Sequence, residues 1–418
     1  MDEVVDYPAL LFFCDFPPSN DGGGSILVSR LLTSYPQDKI WVLTSRRAFK
    51  LSTAAGKLHC PHMLFPRTSR VGRWGLGRLK ELLDWLLFPA LVLTGIWQIK
   101  RRNIDSMVTI AHGDFVLATA LVSALTATPF VMLVHDDWMD NMTRGPSFLR
   151  YCSPKRVFKW ICSRASRIYA VSPPMQDKLR SECGVEAELQ MCASDSPWQC
   201  ESTRSEVSDK KSTTRIVYAG NAYGMDSLAL LAAVVKNDRL KDLTGVSAEL
   251  KLYTRLTTNQ IARLGWDHRS ISSNGWVSAD KLREAYAQAD ILFLPFSFEE
   301  AQRGINSTSF PAKAAEYLAS GRVILICAPP YSSTVQYANT FGFAEVVTEL
   351  TEDALMRGIL NLCNEEYRRG LLERARLVFE KNHNLARQTS EFIQSLRRIV
   401  REQKQITEQS LQSSQIPR

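Results

Sequence analysis

Short apolar runs of the kind that form β-strands alternate with helical patterns along almost the whole chain, and one polar segment interrupts the series. That segment, residues 194–214, lacks hydrophobic periodicity, and an equivalent series restarts after it. Alternation of strands and helices is typical of βαβ units with parallel sheets. Two rounds of it predict an α/β protein with two doubly wound domains that face each other across a cleft. The predicted strands are 9–15, 39–45, 105–112, 129–136, 166–172, 215–221, 248–254, 270–276, 289–295 and 322–328.

The same pattern gives a domain plan for the 418 residues, which are enough for more than one packed core. We expect an N-terminal domain over 1–200 and a second domain over 201–382. A helix is expected over 383–402, and one option is that this helix crosses back to the N-terminal domain. The polar end, 403–418, is predicted to be disordered because it has too little apolar surface to fold.

The composition favours a globular protein of the cytoplasm. Hydrophobic residues make up 45% of the chain and charged residues 22%, which are ordinary values. The first residues, MDEVVDYP, are acidic and lack the basic-then-apolar order of a secretion signal. The nine cysteines show neither a CxxC pair nor a metal-ligand spacing. We therefore expect reduced thiols and a cytoplasmic location.

Positive charge is concentrated in the first half of the chain. Residues 46–102 contain 12 Lys or Arg against two Asp or Glu, and residues 144–180 contain nine against one, although the whole chain carries only +8. Such a split predicts an anionic partner for this half. No nucleic-acid-binding motif accompanies the charge, so we expect no nucleic acid and favour an anionic membrane surface, bound peripherally.

The segment 79–102, LKELLDWLLFPALVLTGIWQIKRR, bears on the membrane prediction. Its central residues, 82–99, are mostly apolar, but Asp84, Pro89 and Gln98 argue against a full membrane span. Basic residues flank both ends, which suits a helix lying in the membrane interface. A helix buried within an α/β domain explains the same apolar run, and the sequence leaves both interpretations open.

Three glycines follow the first predicted strand. Gly22, Gly23 and Gly24 precede a helix that is expected to begin near Ser25, and glycines here let backbone amides approach a ligand closely. A flexible turn is the alternative. The order does not fit a dinucleotide fingerprint, because the glycines come late and the second strand ends in TSRR rather than in an acid. A Walker loop is excluded because no Gly-Lys-Ser/Thr follows.

Two histidines stand at the ends of adjacent predicted strands. His112 closes the run 105–112, and His135 lies at the end of the run 129–136, two residues before Asp137. A single histidine is usually a packed or surface residue, but two at the carboxyl ends of parallel strands are candidate catalytic residues. The motif HDDWMD suggests a metal site, yet adjacent aspartates in a strand would point to opposite faces, so we expect no metal.

A short helix is expected within residues 306–321, NSTSFPAKAAEYLASG. Ser309 can cap its start, Pro311 suits its first turn, and Gly321 can close it. The apolar stripe of such a helix should pack inward.

The carboxylate of this helix, Glu316, can be interpreted in two ways. It shares a face with Lys313, and a solvated Lys–Glu pair at this spacing is common. However, the helix follows a predicted strand and the long loop 296–309, which puts Glu316 near the carboxyl edge of the second sheet. Ligands of doubly wound domains bind at that edge, so we favour a ligand contact.

Several motifs resemble family-four glycosyltransferases of the GT-B fold. They cover nearly the whole chain, and the last two are the most specific. The matching segments are the glycines at 22–24, AVSPPMQDKL (170–179), IVYAGN (216–221), NGWVSADKLREAYAQADILFLP (274–295) and SFPAKAAEYLASGRVILICAPP (309–330).

This resemblance implies two Rossmann-like domains and a retaining transfer that needs no metal and no cofactor. The nucleotide-sugar donor would bind mainly to the C-terminal domain and the acceptor to the N-terminal domain. Glu316 matches the second glutamate of the family's E-x7-E motif, which binds the donor ribose hydroxyls. The expected catalytic residues are His112, His135 and Asp137. The expected donor-binding residues are Gly22, Gly23, Gly24, Gly220, Asn221, Arg255, Trp276, Val277, Ser307, Thr308, Lys313 and Glu316.

The chain departs from the family pattern at two places. Thr308 stands where the first glutamate of the motif would fall. After Gly220 the family usually has an Arg and a Lys that hold the diphosphate, whereas here no base follows before Asp226. Substitutes for these bases are Arg255, Arg303 or Lys313, together with the backbone amides of 306–308.

The predicted function is a hexosyl- or glycosyltransferase that moves a sugar from a nucleotide-sugar donor to a cell-envelope or polysaccharide-type acceptor, including a lipid-linked glycan. Two alternatives remain. A nucleotide-sugar epimerase or hydrolase of the same fold would need an acid–base pair, and no additional His/Glu pair is evident in the second domain. The missing diphosphate bases also fit an inactive scaffold protein of this fold.

Overall fold

The structure of the protein is a computed structural model that describes residues 7–19, 23–52, 58–66, 77–137, 153–195, 213–221, 223–237 and 239–414. The chain divides into two compact units. Unit 1 comprises Met1–Met191 and Leu385–Arg418, and unit 2 comprises Cys192–Asn384. Each is organised around one parallel sheet, so the prediction of a doubly wound α/β protein is confirmed.

Unit 1 contains a seven-stranded sheet in the order β3-β2-β1-β4-β5-β6-β7, and all neighbouring strands are parallel. Its strands are β1 (Leu10–Phe13), β2 (Ile40–Ser45), β3 (His62–Phe65), β4 (Ser106–Ile110), β5 (Phe130–Val134), β6 (Arg167–Ala170) and β7 (Glu188–Leu189). Its helices are α1 (Gly23–Thr33), α2 (Arg46–Leu51), α3 (Gly77–Arg102), α4 (Gly113–Thr126), α5 (Pro154–Arg164), α6 (Pro173–Cys183) and the C-terminal helix Leu385–Ser414.

Hydrophobic cores lie on both faces of this sheet. Strands β4 and β5 are buried at every residue, as expected for central parallel strands that are covered on both sides. Apolar residues of α3, α4, α5 and α6 form one core, and those of α1 and the C-terminal helix form the other. The order of the strands reverses between β1 and β4, which is where such sheets bind ligands.

Unit 2 contains a six-stranded parallel sheet in the order β10-β9-β8-β11-β12-β13. Its order reverses between β8 and β11. Its strands are β8 (Thr213–Ala219), β9 (Ser247–Tyr253), β10 (Ile271–Ser273), β11 (Ile291–Pro295), β12 (Val323–Cys327) and β13 (Glu345–Val347). Its helices are α7 (Met225–Lys236), α8 (Arg239–Thr244), α9 (Thr258–Arg263), α10 (Ala279–Gln288), α11 (Arg303–Thr308), α12 (Ala312–Ala319), α13 (Ser333–Phe341), α14 (Glu352–Asn361) and α15 (Glu365–Val378). The C-terminal helix of unit 1, Leu385–Ser414, comes last in the chain and is called α16.

Some expectations about individual elements were wrong. Strands β3, β7 and β13 were not predicted, because they have only two to four residues and offer too little periodicity. Helix α16 continues to Ser414 through residues expected to be disordered. That stretch, 403–414, contains four Gln, one Glu and one Lys and has no Gly or Pro, so helix propensity sustains it. The polar segment lies mostly outside the described residues.

The helix around Glu316 also begins differently from the prediction. Ser309 is the residue that follows α11 rather than the cap of α12, and its carbonyl accepts a hydrogen bond from the Ser333 hydroxyl. Pro311 is the residue that precedes α12, without a side-chain cap. Gly321 follows the helix with φ 66°, a left-handed conformation that glycine adopts at helix ends, as predicted.

Candidate functional site

The carboxyl edge of the sheet in unit 2 brings α12 against the loop after β8. The Lys313 Nζ lies 3.3 Å from the Tyr218 hydroxyl and 4.5 Å from the centre of the Tyr218 ring. A β-carbon added at Gly220 would come within 2.4 Å of this ammonium nitrogen. Gly220 also has φ 129°, which side chains other than glycine rarely adopt. The backbone of the loop therefore passes directly beside the Lys313 charge.

Burial shifts the titration of this lysine. Its removal from water lowers the pKa of Lys313 to about 8, and the nearby Glu316 carboxylate partly opposes that shift. Burial raises the pKa of Tyr218, so its hydroxyl stays neutral, and it donates to the Asn221 carbonyl. The ammonium thus faces the ring and the neutral hydroxyl of Tyr218, and it can bind an anionic ligand.

Glu316 lies one helical turn after Lys313 on α12. The Tyr286 hydroxyl donates to its Oε2 at 3.4 Å, and the Tyr286 ring packs edge-on against Tyr317 at 5.2 Å. The Tyr317 hydroxyl in turn accepts the amide of Ala219 at 3.2 Å, which ties α12 to the end of β8. Glu316 is half-buried, so it is held in place but remains accessible to a ligand. The solvated Lys–Glu pair does not describe this arrangement.

The point where the strand order reverses in unit 2 is closely packed. A β-carbon added at Gly224, where φ is 64°, would come within 2.7 Å of the Phe296 backbone. Asp226 accepts the Phe298 amide at 2.6 Å, and the Ser227 hydroxyl donates to the Phe296 carbonyl. These contacts fix the loop after β11 to the start of α7. Asp226 also puts a negative charge where the family usually has bases.

The other predicted donor residues divide into two groups. Arg255 and Trp276 follow β9 and β10, and the Arg255 guanidinium lies 4.4 Å from the centre of the exposed Trp276 ring, with Val277 next in the chain.

Ser307 and Thr308 lie at the end of α11, where both hydroxyls donate to the Gly304 carbonyl. Their amides are in helical positions and bond within the helix, which leaves them less suited to a diphosphate than expected. Arg303 pairs with Glu300 and lies 4.3 Å from the centre of the Tyr331 ring.

The carboxyl edge of the sheet in unit 1 collects the predicted catalytic histidines. Ile110 pairs with Leu133, so His112 and His135 occupy equivalent positions two residues later. The His112 Nδ1 lies 3.9 Å from an Asp15 carboxylate oxygen, and its ring meets the edge of Phe16 at 5.2 Å. Asp15 follows β1, which neighbours β4, so the pair marks the point where the order of this sheet reverses.

His135 is buried against the glycine turn. A β-carbon added at Gly24 would lie 3.5 Å from the His135 ring carbons, and the Nε2 atom has no hydrogen-bond partner among the described residues. Burial lowers the pKa of His135 to about 4, so its ring is neutral near pH 7. Gly23 and Gly24 form the first turn of α1, whereas Gly22 lies outside the described residues.

Asp137 is not available as an isolated base. Its Oδ2 lies 2.7 Å from the Nζ of Lys178 on α6, and both side chains are largely buried. Lys178 and Asp15 were not predicted as site residues, because they are distant in sequence from the partners they approach. Tyr218, Tyr286 and Tyr317 were also not recognised as site residues.

The described part of the chain contains no group of three or more His, Cys, Asp or Glu side chains that could hold a metal ion. It also contains no helix long and apolar enough to cross a membrane.

Comparison with known proteins finds a family model that matches part of the chain. Residues 22–190 match Glycosyltransferase Family 4, and the match ends just before unit 1 gives way to unit 2 at Met191. The resemblance to glycosyltransferase family 4 is confirmed. No curated protein matched the chain. The match covers the glycine turn and both histidines but not the Lys313–Glu316 helix.

Solved structures share the fold at low sequence identity. Sucrose-phosphate synthase from Thermosynechococcus elongatus is 14% identical, with 94% of this chain and 99% of that chain covered and a TM-score of 0.65. An α,α-trehalose-phosphate synthase (UDP-forming) from Burkholderia vietnamiensis is 10% identical over 94% and 98%, with a TM-score of 0.62. The trehalose-6-phosphate protein from E. coli bound with UDP-2-fluoro glucose is 9% identical over 93% and 98%, with a TM-score of 0.58. These similarities show that the fold is GT-B, and the partial family match supports a glycosyltransferase.

Proposed function

We propose that the chain is a hexosyltransferase that takes a sugar from a nucleotide-sugar donor and passes it to a glycan or lipid-linked glycan acceptor of the cell envelope. The transfer would retain the anomeric configuration and use neither a metal nor another cofactor. The observation that carries the proposal is a half-buried ammonium and a half-buried carboxylate one turn apart on α12, at the edge of the sheet where the loop after β8 passes.

The nucleotide fits this arrangement through its chemistry. Glu316 presents carboxylate oxygens that can accept hydrogen bonds from the two ribose hydroxyls. One of these oxygens, Oε2, also accepts a hydrogen bond from the Tyr286 hydroxyl. Lys313 presents a cation beside the Gly220 backbone, where a phosphate can approach without a side chain in the way. In an environment with little water, this single charge acts on a diphosphate more strongly than an exposed one would.

Lys313 is the best substitute for the missing diphosphate bases. The Arg303 guanidinium is half-exposed and already pairs with Glu300. Arg255 lies on the exposed Trp276 ring, an arrangement suited to stacking against a nucleobase. Lys313 would therefore supply the positive charge that a divalent cation supplies in metal-dependent transferases.

The residues of unit 1 would act on the acceptor and the transferred sugar. His135 is neutral and buried, so it can exchange hydrogen bonds with sugar hydroxyls without carrying charge. His112, close to the Asp15 carboxylate, would position the sugar or stabilise charge rather than act as a general base. We propose that this basic unit works on the cytoplasmic face of an anionic membrane, which it binds peripherally.

A donor screen tests the proposal. Calorimetry with UDP, GDP, ADP and CDP should find one tight ligand, and Lys313→Gln should weaken its binding while the control Lys281→Gln on α10 does not. The matching nucleotide sugar, incubated with membranes and with soluble glycans, should then yield a transferred sugar of unchanged anomeric configuration.

The same experiment distinguishes the alternatives. Free sugar or an epimer formed without any acceptor would favour the hydrolase or epimerase. Absence of binding to every nucleotide would favour an inactive scaffold, which the lack of bases between Gly220 and Asp226 would then explain.

A further inference from the structure

Helix α3 has one apolar face inside the protein. Leu91, Val92 and Ile99 are buried in the core that α3 shares with α4. Gly95 lies so close to that core that an added β-carbon would come within 2.8 Å of both Phe13 and Val122. This inner face fixes the C-terminal half of the helix to the rest of unit 1.

A second apolar face of the same helix points away from the core. We define the α3 outer face as Leu83, Trp85, Leu86, Ala90, Leu93 and Trp97, all of which are exposed. The side chains of Leu86 and Leu93 keep 60% and 65% of their accessible surface. Spacings of three and four residues put most of this face on one stripe, which runs about 21 Å along the helix axis. Water contact over such a stripe is costly unless something covers it.

The ends of the outer face are basic. Lys100, Arg101 and Arg102 are exposed, and the Arg101 guanidinium lies 4.7 Å from the centre of the Trp97 ring. In the sequence just before the helix and in its first turn, residues 67–80 contain five basic residues and no acidic one. No carboxylate occupies an exposed position of α3 among the residues whose side chains the structure describes.

The second basic region of the sequence lies on the same side of the sheet. Helix α5 packs against α4, which packs against α3, and all three contribute to one core. Lys155, Arg156, Lys159 and Arg164 of α5 are exposed. The fold thus brings two regions that are far apart in sequence into one layer of helices, with apolar side chains exposed on α3 and cations on both helices.

We infer that the α3 outer face docks onto an anionic lipid bilayer, with the helix lying flat in the interface. This inference gives a docking element to the membrane association in the proposed function, and it does not depend on sugar transfer. Tryptophans near the two ends of the stripe suit the interface, and the flanking cations match acidic headgroups. The helix cannot leave the core to span the bilayer, because its inner face is packed.

A second copy of the chain is a poorer occupant of this face. Both ends of α3 are basic, so parallel and antiparallel pairing of two such helices would each place cations opposite cations. An acidic bilayer would instead attract these cations.

Flotation with vesicles tests the apolar part of the inference. Vesicles of phosphatidylcholine and phosphatidylglycerol in equal parts should carry the full-length protein, and vesicles of phosphatidylcholine alone should carry much less. The double variant Leu86→Gln/Leu93→Gln should reduce partitioning about tenfold or more, since buried leucines contribute most of the interfacial energy. A matched control is Leu243→Gln/Leu377→Gln, whose leucines in unit 2 are 63% and 65% exposed, and this control should partition like the wild type.

Charge variants test the second part. Lys100→Gln/Arg101→Gln and Lys155→Gln/Lys159→Gln should each weaken binding to acidic vesicles and reduce its salt dependence, whereas Lys241→Gln/Lys281→Gln, with the same change in net charge, should not. Equal effects of test and control variants would overturn the inference. So would sedimentation that shows a dimer abolished by Leu86→Gln/Leu93→Gln, which would assign the face to a second copy. Nucleotide calorimetry on the same variants separates failure here from failure of the proposed function, because docking variants should leave nucleotide affinity intact.

Discussion

The ammonium of Lys313 lies 4.5 Å from the centre of the Tyr218 ring, although the two residues are 95 positions apart in the sequence. Helix α12 supplies the lysine and strand β8 supplies the tyrosine, at the edge where Gly220 turns the chain. The contact places a positive charge beside Gly220. In the family that the chain resembles, an Arg and a Lys after this glycine usually supply that charge.

The protonation of Lys313 should govern the pH dependence of nucleotide binding. Its pKa is lowered to about 8, and Glu316 and the neutral Tyr218 hydroxyl are the groups that face it. A bound diphosphate favours the ammonium, so affinity should fall as the pH rises through about 8, and binding near pH 8 should take up protons. Calorimetry in buffers with different heats of ionisation measures this uptake directly.

The uptake should disappear in Lys313→Gln and persist in the exposed control Lys281→Gln. Uptake that is equal in all three proteins would place the phosphate-binding cation elsewhere, with Arg255 and Arg303 as the remaining candidates.

Gly220→Ala should disturb the same site from the other side. The added methyl group would need the space of the Lys313 ammonium, and φ of 129° is unfavourable for alanine. We expect about 1–3 kcal/mol of lost stability and a clear loss of nucleotide affinity. The control is Gly245→Ala, because Gly245 also has a positive φ but no atoms within 4 Å of an added β-carbon. Denaturation and calorimetry should show strain in both variants and weaker binding only in Gly220→Ala; intact binding there would remove Gly220 from the site.

His112→Ala should affect turnover rather than nucleotide affinity. The His112 ring lies at the carboxyl edge of the sheet in unit 1 next to Asp15, whereas the residues proposed to hold the nucleotide belong to unit 2. Loss of a group that acts on the transferred sugar lowers kcat, whereas loss of a nucleotide contact raises Kd. Steady-state kinetics should show a decrease of about tenfold or more in kcat, compared with no change for the exposed His59→Ala. A decrease in affinity without a change in turnover would contradict the assignment.

Acid should destabilise unit 2 through His383. This buried ring accepts from the Tyr337 hydroxyl and donates to the Cys192 carbonyl, and burial lowers its pKa to about 4. Between pH 6.5 and about 4 the unfolded chain binds a proton that the folded chain does not, so the free energy of unfolding falls as the pH falls. The shift of the His383 pKa from 6.5 to about 4 corresponds to a total loss of about 3 kcal/mol in the free energy of unfolding, since one pKa unit is worth about 1.4 kcal/mol. Above pH 6.5 this contribution to stability is fully present.

Chemical denaturation between pH 7 and pH 4.5 measures the effect. His383→Gln should be less stable at pH 7, because it alters two buried hydrogen bonds, but its stability should depend less steeply on pH. The exposed His59→Gln should retain the slope of the wild type. A slope in His383→Gln as steep as in the wild type would show that other groups cause the acid sensitivity.

Much of the fold follows from local sequence. Strands such as β5 and β12 are continuous apolar runs, which are recognisable because central parallel strands are buried on both faces. The short edge strands β7 and β13 were not recognised, since two or three residues carry no readable period. The extension of α16 to Ser414 depends on helix propensity in a polar sequence, which composition alone suggested would be disordered.

The site was only partly predictable for a different reason. His112 and His135 were predicted from positions at the ends of strands, and Glu316 from a helix that follows a strand and a long loop; the structure places all three at the carboxyl edges of the sheets. The partners that define their surroundings come from distant segments, such as Tyr286 beside Glu316 and Asp15 beside His112. Only the packing of the sheet and its helices brings such residues together, and no spacing within the sequence encodes it.

The most direct test of the central claim is whether Glu316 binds the ribose of a nucleotide. The affinity of the tightest nucleoside diphosphate from the donor screen should be compared with that of its 2′,3′-dideoxy analogue, for the wild type and for Glu316→Ala. Hydrogen bonds from two hydroxyls to a carboxylate contribute about 1.5–3 kcal/mol, so the wild type should prefer the ribonucleotide about tenfold or more. Glu316→Ala should lose this preference while binding the dideoxy analogue as the wild type does. Equal binding of both ligands by the wild type, or an unchanged preference in Glu316→Ala, would contradict the account.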